Sequence, residues 1–139
     1  MLQQTSPRLT DRIRRGDVFE PKCPSRAVLK HMTSTWGVLS LIALRPGTLR
    51  FSELRRRVNG VSERMLAQTL QQLEGDGLVV RKSYPVVPPH VEYTLTDLGQ
   101  EAAALVEGLA DWIEDRLPAL IGNGVEDGAV AGAIPVNPA

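Results

Sequence analysis

One stretch, Phe51 to Tyr93 (FSELRRRVNGVSERMLAQTLQQLEGDGLVVRKSYPVVPPHVEY), limits the folds open to this chain more than any other. Helix signals, turn signals and basic residues line up there. Ser52 reads as the N-cap of a short helix, Glu53 to Val58, and Asn59-Gly60 is a strong turn dipeptide. Ser62 can cap a second helix, in which Leu66, Leu70 and Leu73 recur at the spacing of one buried face, and Gly77 stops it. Two helices joined by a short Gly-containing turn form a helix-turn-helix, whose second member enters a DNA major groove. Leu78 to Tyr84 and Val91 to Leu95 then read as strands. Between them Pro85-Val86-Val87-Pro88-Pro89 cannot sustain a ladder, because proline lacks the donor, so the pair makes a hairpin, or wing.

The flanks extend this unit. Cys23-Pro24-Ser25 opens a short helix with proline at a position that suits it, and Ser34 or Thr35 caps the next, Trp36 to Leu44. That helix is apolar nearly all round and is expected at the centre of the core. Pro46-Gly47 ends it, and Thr48-Leu49-Arg50 is a small strand placed to make the hairpin a three-stranded sheet. Thr96 caps a long helix. Its Leu98, Ala102, Leu105, Leu109 and Trp112 repeat every 3.5 residues on average, as in helices that pack along each other. A winged helix-turn-helix already closes its core with the earlier helices, so this seam is assigned to a second copy of the chain. The expected class is mainly α with a small antiparallel sheet (α+β), with dimerisation helices at both ends. Residues 1–20 are read as a flexible basic arm with a short helix from about Thr10, 21–121 as the winged helix-turn-helix domain, and 122–139, rich in Gly, Ala and Pro, as a disordered tail.

The 139 residues suffice for one domain, and with only six aromatics the interior must be packed mainly by Leu, Val and Ala. No apolar run is long enough to span a bilayer, and MLQQTSPRLTDRIRRGD lacks the hydrophobic segment of a signal peptide, so no membrane partner and a cytoplasmic location are expected. Net charge is zero but unevenly spread. Residues 1–82 hold 15 of the 16 Lys and Arg against 7 acids, and 83–139 hold one base and 9 acids, the pattern of a basic working surface and a separate acidic one. One cysteine excludes an internal disulfide framework. Cys23, His31 and His90 offer no ligand pair at a metal-site spacing, so neither metal nor cofactor is expected.

On the second helix Arg64, Gln68 and Gln71 share a narrow arc with Ala67, opposite the leucines. That combination suits base readout: arginine donates twice to guanine, glutamine pairs bidentately with adenine, and an alanine methyl meets the methyl of thymine. Ser52, Arg55, Arg56, Ser62, Arg81 and Lys82 form the natural phosphate-contacting group, which positions without specifying. Arg55, Arg56 and Arg57 cannot all face one way, because consecutive helical residues diverge by about 100°.

The order CP, TSTW, LRFSELRRRV, GVSERMLAQTLQQLEGDGLVVR, YPVVPPHVEYTLTDLG resembles the HxlR family of bacterial transcriptional regulators, relatives of the MarR group, from Cys23 to about Leu117. The wing phrase Tyr84 to Thr96 carries the resemblance more specifically than the helix-turn-helix pattern does. The resemblance implies a homodimer joined through its terminal helices on a pseudo-palindromic double-stranded operator, and the sequence leaves repression and activation both open. The resemblance also implies a role for Cys23, which matches the N-terminal cysteine that some members use to sense quinones, aldehydes or oxidants. Lys22 and Arg26 beside a thiol at a helix start would favour its thiolate. Thr69 and Gln71 depart from the family, standing where members often carry Arg or Lys.

Two other readings stand beside a DNA-binding regulator. A winged helix can serve as a ligand-binding or protein-interaction module with little DNA binding, which zero net charge keeps open. An enzyme needs a nucleophile, a base and an orienter, which one Cys and two His do not supply at any specific spacing.

Overall fold

The computed structural model describes residues 17–125, with side chains to residue 122. Residues 1–16 of the expected basic arm, with its short helix, and the tail beyond residue 125 lie outside the described residues; 17–20, the end of that arm, form an exposed turn before α1. The elements run α1 (Pro24–Thr33), α2 (Thr35–Leu44), β1 (Leu49–Arg50), α3 (Phe51–Arg57), α4 (Glu63–Gly75), β2 (Val79–Tyr84), β3 (His90–Leu95) and α5 (Asp97–Val125). The chain divides into two units at Ala103–Ala104.

In the first unit, hydroxyl caps set the helix starts. Ser34, not Thr35, caps α2 by accepting the Gly37 N–H at 3.1 Å, and Ser62 caps α4 by accepting the Met65 N–H at 3.0 Å. Helix α3 begins earlier than its sequence suggests. Its N-cap is Arg50 and not Ser52, because the Glu53 carboxylate reaches back to the Arg50 N–H at 2.8 Å and satisfies that end from within the helix. At the end of α4, Gly77 takes φ +82°, its N–H bonding to the Glu74 carbonyl and that of Leu78 to the Leu73 carbonyl. This is a Schellman closure, and the left-handed conformation it needs is cheap only for glycine.

The sheet is antiparallel in the order β1-β3-β2, with Leu49 opposite Tyr93 and Val79 opposite Leu95. The small strand therefore adds to the hairpin as its composition implies. Leu41, Leu44, Leu54, Leu66, Leu70 and Leu73 are completely buried and form the centre of the core, closed by Val79, Tyr93 and Leu95 from the sheet. Helix α2 is central on one side only. Leu39 remains exposed and Val38 and Ile42 are half-buried, so the described residues cover that flank of an all-round apolar helix only in part.

Helix α5 starts in the first unit, capped by Thr96 through the Gly99 N–H at 3.0 Å, and continues through the second. It runs to Val125, so residues 122–125 are helical where a disordered tail was expected. An established helix extends through poor formers such as Gly122 and Gly124 because propagation needs far less than nucleation.

Candidate nucleic-acid interface

Helix α4 sorts its residues by face. Leu66, Leu70 and Leu73 point inward, and Arg64, Ala67, Gln68 and Gln71 are all exposed on the opposite arc. Thr69 is buried, so this departure from the family pattern belongs to packing and cannot touch a base. The Ser62 hydroxyl accepts a hydrogen bond as the cap but keeps its own proton available to an outside acceptor.

Around α4 the basic groups occupy linked concavities. A cleft of about 330 Å³ between α3 and α4 is lined by Phe51, Ser52, Arg55, Arg56, Asn59, Gly60, Val61 and Glu63, which brings the expected backbone contacts Ser52, Arg55 and Arg56 to the start of α4. There Arg55 Nη1 lies 3.4 Å from Glu63 Oε2, an exposed pair that a phosphate could displace at little cost. Arg57 lines a different cleft with Leu39, Ile42 and Val58, so the triplet divides as helical geometry requires. A third cleft, about 380 Å³, joins Ala67 and Gln71 of α4 to Arg81 and Tyr93 of the wing. Glu74 also lines it, and its charge disfavours phosphate at that end.

The wing residues separate. Arg81 lies opposite Tyr93 on the inner face and reaches the α4 cleft. Lys82, next in sequence, takes the other face by strand alternation. There it lies opposite Glu92, with its Nζ 5.1 Å from the centre of the Tyr84 ring. Tyr84 in turn stacks on His90 at 4.7 Å, and His90 Nε2 is 3.4 Å from Glu92 Oε2. The structure thus brings Arg81 to α4 and leaves Lys82 in a separate cluster. Two contacts had no local signal in the sequence. Phe51 packs against Tyr93 at 6.3 Å, fixing α3 to the wing, and His31 bonds to Asp76 across 45 residues.

Cys23 is the N-cap residue of α1, partly exposed, with its Sγ 2.9 Å from Ser25 Oγ. The Ser25 hydroxyl, then the backbone N–H groups of Ser25 and Arg26, hold the thiol below its ordinary pKa, against partial desolvation and the Asp17 charge. The cause differs from the expected cationic neighbours: the Arg26 guanidinium is engaged by the Phe19 carbonyl at 2.9 Å.

The expected seam on α5 is uneven. Leu98, Leu105, Leu109 and Trp112 are 58, 71, 48 and 51% exposed, but Ala102 is 6% exposed and so belongs to the chain's own packing. A small side chain at a 3.5-residue position can serve either purpose. Among the described residues no helix is long and apolar enough to cross a membrane, and no cluster of three His, Cys, Asp or Glu could hold a metal.

Known proteins are similar to this chain in sequence and fold. The HxlR-like helix-turn-helix family model matches residues 31–120. YtfH of Escherichia coli, an HTH-type transcriptional regulator, is 59% identical over 113 residues, covering 81% of this chain and 90% of its own. Among solved structures, ytfH from Salmonella typhimurium aligns with a TM-score of 0.75 and 62% identity over 78% of this chain and 96% of that one. The redox regulator HypR in its reduced form aligns with a TM-score of 0.64 and 33% identity over 71% of this chain and 98% of that one. Buried leucines beneath an exposed Arg-Gln face, a proline-rich wing and a family match over that whole span lead to one assignment: the chain belongs to the HxlR-like helix-turn-helix family of transcriptional regulators.

Proposed function

We propose that the protein binds a pseudo-palindromic double-stranded operator as a homodimer, represses from it, and releases it when Cys23 is modified by an electrophile or oxidant. The observation that carries the DNA reading is the division of α4, with Leu66, Leu70 and Leu73 completely buried while Arg64, Ala67, Gln68 and Gln71 stand free on the opposite arc. Phosphate contacts fall to Ser52, Arg55, Arg56, Ser62 and Arg81, with Lys82 in a lesser role. The dimer reading is supported by the exposed Leu98, Leu105, Leu109 and Trp112 of α5.

The sensing reading is supported by the lowered thiol pKa, which keeps more Cys23 as the nucleophilic thiolate at neutral pH than an ordinary cysteine would have. HypR, a redox regulator solved in oxidised and reduced forms, gives redox response a precedent in a similar protein. Subunit geometry supplies the mechanism. Two reading helices must sit about 34–36 Å apart to enter successive major grooves, so a small rotation between protomers on thiol modification costs the second half-site.

Selection of a duplex from random sequence, followed by salt titration of its binding, tests the DNA reading. Affinity should fall steeply with salt, with a slope of about −0.9 per phosphate neutralised. A protein that selects no sequence and shows no salt dependence would instead be a protein- or ligand-binding winged helix. Cys23→Ser should bind the duplex as the native protein does but no longer release it on diamide treatment; a variant that still releases removes Cys23 from the mechanism.

A further inference from the structure

Helix α1 is weakly fixed by burial. None of its residues is buried, and Leu29, on its apolar side, is half exposed. Its last turn nevertheless carries a specific tie. His31 Nδ1 lies 2.7 Å from Asp76 Oδ2, with the two side chains only 19% and 11% exposed. A carboxylate accepts and cannot donate, so Nδ1 carries the proton in this bond. Asp76 is the C-cap residue of α4, immediately before the left-handed Gly77 and the two hydrogen bonds that close the helix. Displacement of its carboxylate therefore acts on the end of α4 itself, with no slack loop between. The same His31 is locked to α2: its carbonyl accepts the Ser34 hydroxyl at 3.1 Å, and a Cβ at Gly37 would run into that carbonyl. Asp76 also needs this partner. A carboxylate at a helix C-terminus faces the negative end of the helix dipole, and a donor from outside offsets the repulsion.

We propose that the His31–Asp76 pair fixes the position of α4 relative to α1, which makes His31 a positioning residue for base recognition and α1 a lever on the reading helix. The inference rests on the reading of α4 as the DNA-contacting helix. It places the coupling at a defined hydrogen bond, so a change of α1 produced at its Cys23 end reaches α4 through His31 in the same protomer.

The test uses the full chain and a duplex selected by the native protein, with a scrambled duplex as reference. His31→Leu and Asp76→Ala should each lower the ratio of selected to scrambled affinity by about tenfold, the scale of one lost charge-assisted hydrogen bond, while scrambled-duplex affinity stays within about twofold. His31→Gln, which keeps a donor, and the exchange His31→Asp with Asp76→His should recover most of the ratio, a rescue that general destabilisation would not give. Amide exchange of residues 26–33 should quicken in His31→Leu and slow again in the exchange variant. An unchanged ratio in both single variants overturns the inference, as does a loss that neither rescue reverses. Absence of any salt-dependent DNA binding by the native protein is a separate result, which removes the DNA reading first.

Discussion

Helices α4 and α5 begin alike and are used differently. Each is capped by a hydroxyl, Ser62 or Thr96, that accepts an N–H three residues on at 3.0 Å, and each carries apolar residues at spacings of three and four. In α4 the pattern is satisfied within the chain: Leu66, Leu70 and Leu73 are completely buried. In α5 it is largely unsatisfied, with Leu98, Leu105, Leu109 and Trp112 about half exposed or more. The difference teaches that periodicity specifies a face to be covered but says nothing of what covers it. A sharply divided α4 leaves its polar arc for a nucleic acid, whereas an uncovered α5 calls for another protein surface, which the proposed function identifies as a second copy.

The largest effect should come from breaking that asymmetry in α5. Leu109→Asp would place a carboxylate in the seam twice, once per protomer of an isologous dimer, and each unpaired buried charge would cost roughly 3–5 kcal/mol unless it neutralised or the helices parted. Parting is the expected outcome, with the variant sedimenting as a monomer and keeping only weak, salt-sensitive DNA association. Within one chain Leu109 is 48% exposed, so the monomer's own stability should change by no more than about 0.5 kcal/mol. If the native protein sediments as a monomer at micromolar concentration, the two helices differ for another reason and the seam has no partner.

Next comes the converse substitution in α4. Leu70→Ala removes a completely buried side chain and should cost about 2–5 kcal/mol, through lost transfer energy and the cavity left behind. Leu105→Ala, the same chemical change at a 71% exposed site, should leave denaturant unfolding of the monomer nearly unchanged. Equal losses at the two sites, measured by urea unfolding in a monomeric background such as Leu109→Asp, would mean that α5 is covered by its own chain after all.

Much of this contrast was legible in the sequence, for local reasons. The leucine spacing of α4, the caps at Ser62 and Thr96, the stop at Gly77 and the strand at Leu49-Arg50 each depend on residues a few positions apart, and the chain's pattern reports them directly. The errors were local too where a neighbour took over a role. Glu53 closes the start of α3 from inside, so the cap moves from Ser52 to Arg50. The heptad spacing treats Ala102 and Leu105 alike although one is buried and the other free. What no local pattern carries is pairing across distance. His31 and Asp76 are 45 residues apart, and Phe51 meets Tyr93 only once the sheet forms.

A smaller effect sharpens the assignment of the α4 arc. Arg64→Ala should weaken the selected duplex by about 1–3 kcal/mol and relax preference at one base pair, because a bidentate contact to guanine is lost. Met65, its neighbour, turns 100° away and is also exposed, so Met65→Ala serves as a control for helix propensity and should leave base preference intact. Affinity and preference both unchanged in Arg64→Ala would show that the exposed arc is an ordinary solvated face, and α4 would then resemble any amphipathic helix.

The smallest effect separates two adjacent residues of the wing, and it is the finest test of how faces decide roles here. Arg81 stands opposite Tyr93 and lines the cleft with Ala67 and Gln71, whereas Lys82 stands opposite Glu92 with its ammonium near the Tyr84 ring. Strand alternation makes the two point apart, so a duplex seated on α4 meets the first more directly than the second. Loss of a phosphate contact weakens all sequences alike and flattens the dependence of log affinity on log salt by about one unit, which sets the expectation for Arg81→Ala. Lys82→Ala should leave the slope within a few tenths, because that ammonium lies on the face turned away from α4, beside Glu92 and the Tyr84 ring, and makes no direct phosphate contact there. Base preference should be unaffected in both, which distinguishes them from Arg64→Ala. Equal flattening by the two substitutions would mean that the duplex contacts the wing across both faces, at its tip, and that Arg81 owes nothing to its place beside the reading helix.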